Sequence, residues 1–375
     1  MTTALLLALL GSAPVAQVEL RGGRTLDEPV IAVSLEGVTT QPAIGGVVRS
    51  LPWDLVKNVS GEHAQEAAQF QPVADKAWRA RARLARADID AAEPLYADLF
   101  SQYRAHAGPT SQRIADGWLR CCLSHADRLG ALDAWAVCLS LQGADAGAPP
   151  DSFDPGEFSQ PAIDPETDLA AALPPIWDDE RTIRAVAERD PLSTAPMVRA
   201  MERWYQLSAQ VELDPRTPLA APDAVPETTD AVAQAFRKGA ELLRAMVESR
   251  SADARLRVSA RDRLDAGLES DIGTWREAWR RVALGRSLLM EKDPSQRSDG
   301  VFHLMHLPAR FATTQPYLCS IAAGAIAKEL STRAKDEAAA ALRLAQEFGA
   351  AAPPPSPLAP TSRDATPTPA KGGKP

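Results

Sequence analysis

The chain has 375 residues, 45% of them hydrophobic, enough for at least one large core and, by ordinary domain size, about two or three units. Aromatics make up only 5%, and the abundance of alanine suits close-packed helices better than a β-sandwich. The formal net charge of -8 provides no global positive field, which argues against nucleic acid or anionic lipid as main partner, and four cysteines without a C-x-x-C pair exclude a disulfide-built fold.

The opening text runs Leu5-Leu6-Leu7-Ala8-Leu9-Leu10 and then through small residues to Gln17. This reads as a signal peptide over 1–17 and predicts an exported protein, periplasmic or secreted. The run is too short to cross a bilayer, which needs about 20 residues, and no later segment is expected to be transmembrane. No cysteine follows it to carry a lipid.

Residues 18–60 change character. Val18-Glu19-Leu20, Pro29 to Leu35 and Val47 to Leu51 are β-rich runs separated by Gly22-Gly23, Gly37 and Gly45-Gly46. They predict a small β module, a meander or barrel of about three to five strands. The Gly22-Gly23-Arg24 turn, Glu36-Gly37-Val38 and a strand ending at Pro52-Trp53-Asp54 resemble small SH3-like or Sm-like barrels.

From 62 to 143 the pattern is helical and it repeats. Ala87 to Ala92 followed by Tyr96, Leu99 and Phe100 aligns with Ala126 to Ala131 followed by Trp135, Cys138 and Leu139, at a constant offset of 39. Each block is similar to the turn and second helix of a tetratricopeptide (TPR) hairpin. The first helices are expected near Val73 to Arg86 and Thr110 to His125, with Trp78 and Trp118 on their inner faces. Pro94 would fit the opening turn of a helix capped by Asp90. The resemblance implies stacked antiparallel hairpins, a TPR-like solenoid, because one hairpin cannot bury its apolar stripe alone.

Residues 144–179 carry Pro149-Pro150, Asp154-Pro155-Gly156, Asp164-Pro165-Glu166 and Pro174-Pro175, which predicts a Pro-rich acidic linker. Helices resume over 180–349, with texts near 195–213, 228–249, 252–268 and 274–291. At the C-terminal end Ser298, Phe302 and Met305 align with Ala338, Leu342 and Ala345 at an offset of 40, so hairpins of the same kind are expected there. Residues 350–375 are Ala, Pro, Ser and Thr with Gly-Gly-Lys-Pro, and are expected to form a disordered tail.

Candidate chemistry is sparse. His303 and His306 could share a metal ion, but no third ligand or H-E-x-x-H pattern accompanies them. Cys121, Cys122 and His125 with Cys138 lack a C-x-x-C clamp and read as buried small hydrophobes. The hairpin places Cys122 opposite Ala131 and Cys138 roughly 9 Å farther along, too far for a disulfide. Asp151 to Glu157 and Asp164 to Asp168 offer carboxylates without a calcium-loop pattern. Trp275 and Trp279 read as core knobs of one helix. Arg255, Arg257, Arg261 and Arg263 have Asp253, Asp262 and Asp265 close by to neutralise them. Lys76, Arg79, Arg83 and Arg86 share one side of a helix and are the candidate ligand-binding face, a groove for acidic peptides, beside the plainer reading of a solvated surface.

No nucleophile elbow, phosphate loop, dinucleotide fingerprint or haem site is written in the sequence, and five histidines leave little for acid–base work. No catalytic, cofactor-binding or metal-binding residue is therefore nominated, and no cofactor is expected. The reading is a non-enzymatic protein or peptide-binding scaffold of the cell envelope. Its alternative is an enzyme or accessory factor acting on an envelope polymer such as peptidoglycan or polysaccharide, which acidic residues clustered with tryptophans in one cleft would favour, because glycosidic chemistry needs paired carboxylates. A third option makes the β module the functional head and the helices an oligomerisation arm.

Overall fold

β-branched runs broken by glycine build six short strands in two antiparallel sheets. The first has the order β2-β1-β6, from β1 (Val18–Leu20), β2 (Thr25–Leu26) and β6 (Val56–Val59). The second runs β3-β4-β5, from β3 (Val30–Ser34), β4 (Gly37–Thr40) and β5 (Arg49–Leu51). Gly37 is required: at φ 136 it passes so close to the Leu51 carbonyl that a Cβ would collide with it. The computed structural model describes residues 17–41, 48–142, 161–220 and 231–350. The expected signal peptide up to residue 16, the expected linker up to 160 and the expected tail from 351 lie outside them.

The sheets enclose Val18, Leu20, Val30, Val38, Leu51, Trp53 and Val56, and the same core takes in Ala67 and Ala74. Those two alanines belong to α1 (Ala64–Ala68) and α2 (Gln71–Leu84), so the β module is closed by helices rather than by itself. Several further ties are polar. Glu36, in the β3–β4 turn, accepts the backbone N–H and the hydroxyl of Ser111 at the start of α4 (Pro109–Ser124). The Thr110 hydroxyl accepts the Trp53 N–H at 3.0 Å and donates to the Glu36 carbonyl at 2.8 Å. Buried Asp54 is held by Arg81 at 2.7 Å and Arg113 at 2.9 Å.

The body is mainly helical, with thirteen α-helices among the described residues. The pair α2 and α3 (Ile89–Tyr103) is followed by α4 and α5 (Arg128–Leu141), and consecutive members pack together. Both pairs turn in the same way. Ala87 and Ala126, thirty-nine residues apart, have φ 58 and 57. In each, the alanine N–H returns to a carbonyl three residues back and the following aspartate N–H to one five back: Leu84 and Arg83 in the first turn, Leu123 and Cys122 in the second. This is the Schellman arrangement, which closes the helix end with a left-handed residue usually supplied by glycine. Tyr96, Leu99 and Phe100 are buried in one hairpin, and Trp135, Cys138 and Leu139 in the other.

Three details of these hairpins differ from expectation. Asp88, not Asp90, stands at the N-cap of α3, and Pro94 therefore lies beyond the first turn, leaving the Asp90 carbonyl without its helical donor. Trp78 is 38% exposed rather than inward, with the Arg21 guanidinium 5.2 Å from its ring centroid. Trp118 is half-buried and stacks on Phe100.

The later helices are α6 (Glu180–Ala187), α7 (Pro196–Leu213), α8 (Ala231–Glu248), α9 (Ala254–Ala266), α10 (Trp275–Leu288), α11 (Pro294–Arg310), α12 (Pro316–Leu330) and α13 (Lys335–Ala350). Their starts follow ordinary capping chemistry. Proline opens α7, α11 and α12, while Asp179, Asp253 and Asp293 accept first-turn N–H groups of α6, α9 and α11. The C-terminal repeat is displaced by one residue from its expected register. Helices α10 and α12 begin at Trp275 and Pro316, and α11 and α13 at Pro294 and Lys335, forty-one apart in both cases. In that register buried Gly300 and Leu304 match half-buried Ala341 and buried Ala345. Phe302 and Met305, the residues of the expected alignment, are 66% and 52% exposed and lie outside the core.

Residues 161–179 are not a spacer. Ala162, Leu169, Ala170, Leu173, Ile176 and Trp177 are all buried in the main core. Prolines 161, 165, 174 and 175 keep this strap out of regular structure, so side chains must satisfy its carbonyls. Trp135 Nε1 donates to Asp168 O at 2.8 Å, and the Tyr205 hydroxyl to Leu173 O at 2.8 Å. Trp279 Nε1 and Gln315 Nε2 both donate to Ala171 O, and the Tyr317 hydroxyl to Ile176 O. Gly239 of α8 lies against the Thr167 carbonyl, where a Cβ would collide. Five helices, α5, α7, α8, α10 and α12, thus meet on one irregular segment.

Candidate functional site

The basic face on α2 is not a free cationic groove. Lys76 is paired with Asp98, and Arg83 with Asp88 at 2.9 Å. Arg79 and Arg86 are exposed and turn their Nε groups onto the backbone carbonyls of Asp75 and Ala82. Lys76, Arg79 and Arg83 lie on α2 and Arg86 just beyond its end, and two of the four charges already have carboxylate partners.

The other sequence candidates resolve into structural roles. Arg257 and Arg261 meet Glu291, and Arg263 meets Glu248, so their partners come from neighbouring segments rather than from Asp262 or Asp265. Asp164 accepts the Thr167 hydroxyl at 2.8 Å and an ion pair from Arg276 at 2.9 Å, which makes it the anchor of a turn. Trp275 and Trp279 contact each other edge-on at 4.7 Å, with Trp279 fully buried.

His303 Nδ1 is buried without a hydrogen bond, and burial together with Arg281 lowers the pKa of both His303 and His306. All four cysteines are free and buried. Burial pushes the Cys121 and Cys319 thiols up to about 12 and Cys122 higher, so none is a ready thiolate. His125 sits between Asp90 at 3.0 Å and Glu93 at 2.9 Å. Among the described residues no group of three or more His, Cys, Asp or Glu is arranged to hold a metal ion, and no helix is long and apolar enough to cross a membrane.

Two concavities stand out among the described residues. The larger, about 730 Å³, lies between α8, the strap turn and the α9–α10 region. Its arginines are all neutralised: Arg244 and Arg263 by Glu248, Arg276 by Asp164, Glu166 and Asp271, and Arg280 by Asp271. Of its carboxylates, Glu166 and Asp271 are engaged by Arg276 and Arg280, and no tryptophan stands among its lining residues.

The smaller, about 250 Å³, opens where the α4–α5 turn, the end of the strap, the start of α12 and the end of α13 converge. Arg128 is its one cation. The guanidinium carbon lies 3.1 Å from the Tyr317 ring centroid, a stacked geometry. Burial lowers the Arg128 pKa, opposed by Tyr317, Asp178 and Asp179. No hydrogen bond or ion pair reaches that guanidinium among the described residues. Of the lining carboxylates, Asp127 accepts Gly130 N–H and Asp179 accepts Thr182 N–H, while Asp178 Oδ1 lies 3.2 Å from the Tyr317 hydroxyl.

Sequence reasoning passed over this site. Arg128 follows the Asp127 cap and reads as the first residue of a helix, while Tyr317 lies far along the chain; only the strap brings them together. Compared with known proteins, the chain matches no protein-family model, no curated protein and no solved structure.

Proposed function

We propose that the protein is a non-enzymatic interaction or scaffold protein of the cell envelope, exported by its N-terminal segment and built as a TPR-like array of hairpins. The observation that supports the array most directly is the recurrence of one turn, left-handed Ala87 and Ala126 with the same pair of backbone hydrogen bonds. In such arrays the inner side receives an extended peptide. Here the strap lies where the helices converge, with Leu169 and Leu173 fully buried, so a partner meets the outer helices instead.

Phe302 and Met305, three apart on α11 and both more than half exposed, form an adjacent apolar pair there. The test is affinity capture from envelope extract with the full chain and with a Phe302→Ser/Met305→Ser variant. The proposal expects a protein partner whose recovery falls with the variant. Recovery of an envelope glycan by both forms would sink it in favour of a polymer-directed role.

A further inference from the structure

The 250 Å³ cavity carries chemistry that the packing of the protein does not use. Arg128 is half-buried in the cavity wall, and an arginine held there for packing alone ordinarily has a carboxylate or carbonyl on its fork, because leaving N–H donors partly desolvated is costly. Arg128 has neither among the described residues; its flat face is held by Tyr317 while its edge stays open for hydrogen bonding. The same tyrosine lies beside a group of opposite charge. Its hydroxyl gives its one proton to the Ile176 carbonyl at 2.7 Å and lies 3.2 Å from Asp178 Oδ1, so the exposed Asp178 carboxylate keeps room for a donor. One side chain therefore stands next to both an open cation and an open carboxylate.

The acidic neighbours disfavour a dianion such as a phosphate monoester, which would meet three aspartates. A ligand with one carboxylate and one ammonium is complementary to both charges. Leu123, Ala126, Ala172, Pro316 and Phe348 supply the apolar part of the wall beside the neutral Thr182, Gln315 and Ser320, and the volume suits a small side chain. We propose that this cavity binds a free apolar α-amino acid, its carboxylate on Arg128, its ammonium on Asp178 and its side chain against Leu123 and Phe348. This goes beyond the scaffold reading and does not depend on it. The bound molecule would touch α5, the strap, α12 and α13 together, clasping early and late parts of the chain.

The test is isothermal titration calorimetry of the full chain with leucine and phenylalanine. Saturable binding of at least one is expected. The matching amide, which lacks the carboxylate, and the matching deaminated acid, which lacks the ammonium, should each bind at least about tenfold more weakly. Arg128→Gln should weaken the amino acid by a similar factor while leaving the amide unchanged, and Asp178→Asn should do the same with respect to the deaminated acid. Absence of saturable binding by either amino acid up to about 10 mM overturns the proposal. So does an amide that binds as tightly as the amino acid. If far-UV circular dichroism shows that Arg128→Gln does not fold, the comparison of analogues on the unaltered chain decides alone.

Discussion

Asp168 holds two unfavourable features at once: a left-handed backbone at φ 56 and a carboxyl that burial, opposed by Gln142, pushes up to about 6. A raised carboxyl means that the folded chain binds more protons than the unfolded one between about pH 4 and 6. Stability therefore falls as pH rises through that window, and the penalty is complete above it. Asp168→Asn stays neutral and still tolerates left-handed backbone. It is expected to raise the Tm at about pH 7.5 and to leave it unchanged near pH 3.5, where the aspartate is protonated too. Equal shifts at both pH values would show that the carboxyl titrates normally. Trp135, fully buried, gives its indole N–H to the carbonyl of the same residue. Its replacement by alanine should cost about 3–5 kcal/mol in urea denaturation. That Trp135 is a core residue was legible from its place in the repeat; its role as donor to the strap was not, because the partner segment reads as polar and proline-rich.

The hairpin turns are the elements most open to improvement. An L-residue in the left-handed region is disfavoured relative to glycine, and nothing about Ala87 or Ala126 compensates, as both are exposed. Ala87→Gly and Ala126→Gly should each stabilise by about 0.5–1 kcal/mol in denaturant titration, additively because the turns are separate. The opposite holds for Gly239→Ala, where the added methyl would collide with the Thr167 carbonyl; a loss of roughly 1–3 kcal/mol is expected. These elements also show where sequence text misleads. In α11 and α13 the period was readable, but the register was off by one residue, a turn of about 100° around a helix, and Phe302 and Met305 lie outside the core. In the strap, proline and acid content concealed Leu169, Leu173, Ile176 and Trp177, whose burial depends on donors more than a hundred residues away in α10 and α12.

At the scale of the whole molecule, low aromatic content and abundant alanine made the mainly helical class legible, and glycine spacing the β module. The union of the two parts was not legible. The β-module core includes alanines of α1 and α2, and Glu36 and Asp54 are fastened to α2 and α4. The full chain should therefore lose tryptophan fluorescence and far-UV ellipticity in one coincident thermal transition. An earlier separate transition of the β module would show that the joint is weak.

The strap also determines when the structure can be completed. Its hydrogen bonds to Trp279, Gln315 and Tyr317 span 108, 144 and 141 residues of sequence. Contacts of such separation form late and slow the approach to the native state. A chain emerging from its N-terminus can build its first two hairpins early, yet the Ala171 and Ile176 carbonyls of the strap wait for donors on α10 and α12. Truncation before Pro316 would leave the Ile176 carbonyl and the apolar strap without the cover of α12, and aggregation during synthesis rather than a stable fragment is the consequence.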